Sequence, residues 1–297
     1  MFKMLKFYLF FVVCGAVLFI SISAIAQDPG HRPDQHNAAC TVTGGVTTYP
    51  VGSTCATDPT TYAITIFSLA VCQREPSPPT GATSAGLEAA GCHTFFSSAG
   101  GSETQIVEGK NASLVGTITR PPNGTYLYGA YNLHPMISVS TNIDFGVGQV
   151  FEGEGSGAGR FCATKGGSVP SEATTICADL SAPTAAVMRE TIFDFNDEQD
   201  PGTLFANTWQ GTYSGQGGSI IQSKAFLLGA GSQFLSSEAA STTRVIGWHT
   251  FAAPLTITIN TTAIDVAFKK TEALYLGTTG GVMDFYIGPP LIEITSD

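Results

Sequence analysis

The densest group of metal-ligating side chains in this 297-residue sequence is Asp194-Phe195-Asn196-Asp197-Glu198-Gln199-Asp200-Pro201-Gly202. Asp194, Asp197, Glu198 and Asp200 supply carboxylates and Asn196 an amide oxygen, the hard donors that calcium takes. The spacing is not that of an EF-hand. Position six would be Gln199 where glycine is needed, and position twelve Phe205 where glutamate is needed. A calcium site and a solvated acidic loop ended by Pro-Gly are the two readings of this stretch.

Carboxylates can also work in pairs, since glycoside hydrolysis needs two of them about 5–9.5 Å apart. Glu152 with Glu154, or Asp194 with Glu198, would supply such a pair. Trp209 and Trp248 could offer flat platforms to a sugar. Serine chemistry finds less support, because no Gly-x-Ser-x-Gly surrounds Ser156, Ser214 or Ser232. The run Gly155-Ser156-Gly157-Ala158-Gly159 is not followed by helix-forming sequence, so it is no phosphate cradle. His93, His134 and His249 stand singly and read as structural or surface residues. Asn-x-Ser/Thr sequons occur at Asn111, Asn123 and Asn260, and they matter only in a glycosylating host.

Charge narrows the partners. Thirteen Lys and Arg against 23 Asp and Glu give a net charge of −10, too acidic to neutralise phosphates, which excludes a nucleic-acid partner. At the N-terminus Lys3 and Lys6 precede an uncharged run over 7–26 that ends in Ala24-Ile25-Ala26. This is the pattern of a secretory signal with a small-residue cleavage site. The alternative, a retained membrane anchor, fits poorly with the helix-hostile Gln27-Asp28-Pro29-Gly30 that follows. No later segment approaches the length of a transmembrane helix, so the mature chain is expected to have no transmembrane span and to be secreted, periplasmic or cell-surface.

Seven cysteines less Cys14 of the leader leave Cys40, Cys55, Cys72, Cys92, Cys162 and Cys177. An even set in an exported chain predicts disulfides. Six cysteines allow about 15 pairings, of which we expect the sequential one: 40–55, 72–92 and 162–177. No Cys-x-x-Cys is present, so a cysteine zinc site is not expected.

The elements that would position these groups read as strands. The stretch 61–69 is rich in β-branched and aromatic residues. Strands are expected at 103–108, 112–119, 125–131, 136–141 and 147–151, with a turn at Pro121-Pro122-Asn123-Gly124. Later strands are expected at 257–259, 264–268, 273–276 and 291–295, with a hairpin around Thr278-Thr279-Gly280-Gly281. Only Glu88-Ala89-Ala90 and 185–189 look helical. The fold class is all-β, sandwich- or barrel-like. The expected layout is a signal over 1–26, a flexible leader over 27–39, a disulfide-containing β domain over 40–180 and a cysteine-free, sandwich-like β domain over 181–297.

The stretch 61–72, the Cys92 region and Arg120-Pro121-Pro122-Asn123-Gly124-Thr125-Tyr126 resemble a group of uncharacterised secreted, β-rich proteins of marine bacteria. The resemblance covers the N-terminal half and implies export and an all-β fold, with no activity or catalytic residue to carry over. The leading expectation is a non-enzymatic secreted or cell-surface β-protein with a structural, adhesive or assembly role. Its partners would be further copies of itself, other surface proteins or glycans, and the edge strand at Leu291-Ile292-Glu293-Ile294 is a place for strand exchange. A calcium- or carbohydrate-binding extracellular module and a secreted hydrolase are the alternatives; apart from that calcium, no cofactor is expected.

Overall fold

The computed structural model of the chain describes residues 39–50, 54–80, 85–106, 113–169, 173–192, 208–214, 220–232, 234–235, 242–269, 273–288 and 291–296. The expected signal, and the leader up to residue 38, lie outside the described residues. The first strands are β1 (Thr41–Thr43), β2 (Val46–Thr48), β3 (Cys55–Thr57), β4 (Thr61–Cys72), β5 (Cys92–Ile106), β6 (Thr117–Ile118) and β7 (Gly124–Leu133). Then come β8 (Met136–Ser140), β9 (Asn142–Asp144), β10 (Phe151–Gly153), β11 (Ala158–Gly159), β12 (Phe161–Thr164), β13 (Gly167–Val169), β14 (Thr175–Ala178) and β15 (Met188–Thr191). The last are β16 (Thr208–Ser214), β17 (Ile220–Leu228), β18 (Arg244–Ile257), β19 (Ile264–Lys269), β20 (Leu274–Thr279), β21 (Val282–Ile287) and β22 (Leu291–Ser296).

The chain is all-β, and its sheets stay open rather than closing into barrels. The largest sheet has ten strands, with β13-β15-β8-β4-β7-β18-β17-β16 in order and β5 and β6 attached through β4. Two five-stranded sheets, β1-β2-β9-β12-β14 and β11-β10-β21-β20-β3, and the ribbon β19-β22 complete the fold. Among the described residues no helix is long and apolar enough to cross a membrane.

β4 organises the large sheet. It pairs with β5 along one side, and with β8 and then β7 along the other. Tyr62, Ile64 and Ile66 alternate into the main core, then Leu69 and Val71 do so. Period two would carry the inward set from Ile66 to Ser68. The extra residue, Phe67, bulges out of register against both β5 and β7 and restores the parity. β5 accommodates this with residues 98–101, where Gly101 has φ of +81°.

Beyond the bulge, β4 is buried on both faces. Ala70 and Cys72 join Ala130, Phe226, Leu228, Ile246 and Trp248 in a second cluster, with Ala85 and Leu87 packed on it. Ala85 and Leu87 belong to the connection between β4 and β5, and Cys72–Cys92 closes that connection at its base. The bridges Cys40–Cys55 and Cys162–Cys177 complete the sequential pairing. Cys162 and Cys177 face each other directly across β12 and β14.

The composition shift near residue 181 does not coincide with a break in the sheets. β3 pairs with β20, β10 with β21, β7 with β18 and β8 with β15. The main core likewise draws on both stretches, from Tyr49 and Ile64 to Phe285 and Ile294. Tyr62 fastens the large sheet to the far end of the chain by donating to the Gly288 carbonyl at 2.7 Å.

Several expected elements differ. Residues 147–150 are not strand: Gly146 and Gly148 take φ of +87° and +89°, the chain turns, and Val147 is 89% exposed. In 113–119 only Thr117–Ile118 is strand. Residues 258–259 lie past the end of β18. The helical flavour of 88–90 gives hydrogen-bonded turns, and that of 185–189 gives way to β15, where Met188 is buried opposite Val139.

The Cys72–Cys92 loop yields a prediction. Replacing both cysteines with alanine should cost about 3 kcal/mol in denaturant unfolding, the loop-closure value for such a span. In a Trp209→Phe background the remaining emission, from Trp248, should shift to the red as its cover loosens. An unchanged emission maximum would show that hydrogen bonds alone hold the cover in place.

Candidate functional site

Asp194, Asn196, Asp197, Glu198 and Asp200, the expected calcium loop, lie outside the described residues. Among the described residues no group of three or more His, Cys, Asp or Glu could hold a metal ion. Trp209 stands on β16 opposite Ala225 of β17. Trp248 is 1% exposed and stacks on Phe226 with ring centroids 5.0 Å apart. Its indole N–H donates to Glu75 Oε1 at 3.4 Å, and Lys224 Nζ meets the same oxygen at 2.5 Å. Trp248 is therefore a core residue under the β4–β5 connection, and the expectation of a sugar platform there is corrected.

The carboxylate pair Glu152 and Glu154 divides in the same way. Glu154 Oε2 accepts from the Thr174 backbone N–H at 2.6 Å and from Thr174 Oγ1 at 2.9 Å. Thr174 Oγ1 in turn accepts from the Phe285 N–H at 3.3 Å. Glu154 thus ties one five-stranded sheet to the other through its Oε2, and both glutamates remain exposed. The glycine run beside them caps a sheet edge. Gly155 N–H donates to Thr175 O at 2.8 Å, and Cys177 N–H to Ser156 O at 3.1 Å. A Cβ on Gly157 would lie 2.1 Å from the Cys177 carbonyl oxygen, so only glycine lets this segment cover the outer side of β14.

Two polar aromatic positions lie inside the large sheet, each opposite a glycine. Tyr131 pairs with Gly247 and His249 with Gly129 across β7 and β18. A Cβ at 247 would stand 2.4 Å from the Tyr131 ring, and one at 129 would stand 2.8 Å from the His249 ring. Alternating large against none lets the rings lie over the neighbouring backbone. Burial pushes the Tyr131 hydroxyl up to about 12, partly offset by its hydrogen bond to Ser223. His249 is 4% exposed, lies near Tyr131 and Phe251, and has no described partner for its buried Nε2. Burial holds its imidazole down to about 4.

A third group gathers where the bulge turns Phe67 out of the core. The Arg244 guanidinium, at the start of β18, lies 3.5 Å from the Phe67 ring centroid. His134, in the β7–β8 turn, has its ring centroid 6.3 Å from that of Phe67. Val245 pairs with Leu133, so the ladder brings Arg244 beside His134. The His134 backbone N–H donates to Thr65 O at 2.8 Å, and its Nδ1 accepts from the Met136 N–H at 3.0 Å. That bond puts the proton of the neutral imidazole on Nε2. Burial and the nearby Arg244 charge lower the His134 pKa. Neither of the ion pairs Arg160–Asp144 and Lys224–Glu75 involves Arg244, which has no described carboxylate partner. Neither Phe67 nor Arg244 stands out in the sequence; the available signal was the odd spacing of inward residues from Ile66 to Leu69.

His249 sets a pH dependence. A buried imidazole with a depressed pKa leaves the unfolded chain binding more protons as pH falls. The stability it protects is whole above about pH 6.5, the ordinary histidine value, and is lost as pH falls towards about 4. Urea unfolding at pH 7 and pH 4.5 should show His249→Phe losing roughly 2–3 kcal/mol less than the parent over this interval. Equal losses in both proteins would refute this role. Comparison with protein-family models, curated proteins and solved structures finds no match for this chain.

Proposed function

We propose that the protein works outside the cytoplasm as a non-enzymatic β-scaffold with a structural, adhesive or assembly role. The observation that carries this reading is the pairing of all six cysteines that follow the leader, within two sheets and between Cys40 and β3. Such bridges persist in oxidising compartments. The charged and then apolar run over 1–26, ending in Ala-x-Ala, supports export by the same logic. Glu154 spends its carboxylate on sheet-to-sheet hydrogen bonds, which weakens the hydrolase alternative at that pair.

Assembly has a surface to use. Among the described residues, β16 and β22 each pair along one side only, with β17 and β19. An unpaired strand edge is a template for a further strand. β14, by contrast, is covered by the glycine run.

Negative-stain microscopy with size-exclusion chromatography of native protein from its secreting cells tests the reading. Filaments, sheets or a regular surface layer are the expected result. A clean monomer at all concentrations would overturn assembly and leave adhesion through a bound ligand.

A further inference from the structure

We infer that Phe67, His134 and Arg244 form a binding site for a carboxylate group. The inference extends the adhesive side of the proposed function by naming the chemistry such a surface would hold; the site itself stands on geometry alone. Arg244 lies on the Phe67 ring, which fixes the plane of the guanidinium and leaves its edge for ligands. Its guanidinium donates from Nη1 to the Thr243 carbonyl at 2.7 Å, with no other described acceptor. A fork of N–H donors with a fixed plane matches the two oxygens of a carboxylate.

His134 supplies the second donor. With Nδ1 engaged by the Met136 N–H, the neutral ring carries its proton on Nε2, and no described residue accepts from it. One permanent positive charge and one neutral donor suit a monoanion better than a dianion. The nearest acid on the neighbouring strand by register is Glu103, opposite Thr65, and it makes no ion pair with Arg244.

The backbone is shaped around this group. Phe67 reaches it only because β4 carries an extra residue, and bulges commonly re-aim side chains at sites. Gly101 is required opposite: a Cβ there would come 2.5 Å from Thr65 Cγ2 and 3.1 Å from the Phe67 ring. In a chain of net charge −10, an arginine without a described acid beside it is poorly explained by stability alone. The carboxylate could belong to a uronic-acid glycan or to a free small acid.

Histidine-labelled protein titrated by NMR with oligogalacturonate, and separately with sodium acetate, decides the matter. The expected result is a saturable shift of the His134 ring signals with oligogalacturonate, at least about tenfold tighter than with acetate. Arg244→Gln should weaken it by about tenfold or more, while the buried His249 signals stay still as an internal control. Arg244→Lys keeps the charge without the fork and should also weaken binding, which covers the case where Arg244→Gln fails to fold. Saturation by acetate as tight as by the oligomer would keep the site but overturn a glycan as its ligand. No saturable His134 shift with either probe on the folded parent would overturn the site, whatever microscopy shows about assembly.

Discussion

The parity of β4 is the constraint on which the rest depends. A strand bonded on both edges has little freedom to rotate, so its inward residues must keep one face along its whole length. β4 meets this with one extra residue. If the alternation ran straight on from Ile66, Ser68, Ala70 and Cys72 would face the main core, with Leu69 and Val71 turned away. Burying a large aliphatic side chain is worth about 1.5–3 kcal/mol, so two displaced at once would amount to a large part of the stability of an ordinary domain. The bulge at Phe67 avoids that loss. The looped-out stretch of β5, the glycine at 101 and the arginine over the displaced ring all follow from it.

The low content of charged residues, 12%, has a structural counterpart in how the sheets are joined. Hydroxyls do the work that ion pairs do elsewhere. Thr175 Oγ1 donates to the Met283 carbonyl at 2.5 Å, and Thr164 Oγ1 donates to the Ala186 carbonyl at 2.7 Å while accepting from the Thr141 N–H at 3.2 Å. Thr141, Thr164, Thr174 and Thr175 are all buried. A threonine can satisfy itself there with short, neutral bonds and still present a methyl group to the core. An ion pair at the same depth would first have to overcome the cost of desolvating both charges.

Local features were legible in the sequence and distant ones were not. The alternation through Tyr62, Ile64 and Ile66 marks β4, and Gly280 and Gly281, at φ of +64° and +93°, make the two-residue β20–β21 turn that their sequence announces. The cysteine pairs close short spans, so their connectivity was within reach of chain arithmetic. Val147 has a strand-favouring side chain, yet Gly146 and Gly148 on either side of it decide the backbone. Trp248 is built from the same residue type as a sugar platform, and only the cover contributed by Glu75, Ala85 and Leu87 makes it core. Arg244 and His134 are 110 positions apart, and nothing local to either points to the β7–β18 ladder that joins them.

The interleaving of the sheets bears on the order in which the chain can take shape. β3 and β10 each precede their partners, β20 and β21, by a long stretch of chain. Long-range pairing of this kind is slow to form because the intervening chain must be gathered first. The three disulfides, by contrast, span 15 to 20 residues and can close while the rest of the chain is still extended. A chain arranged in this way is tied locally before its distant strands can pair. Its early covalent ties then hold the first strands ready for the last ones to arrive.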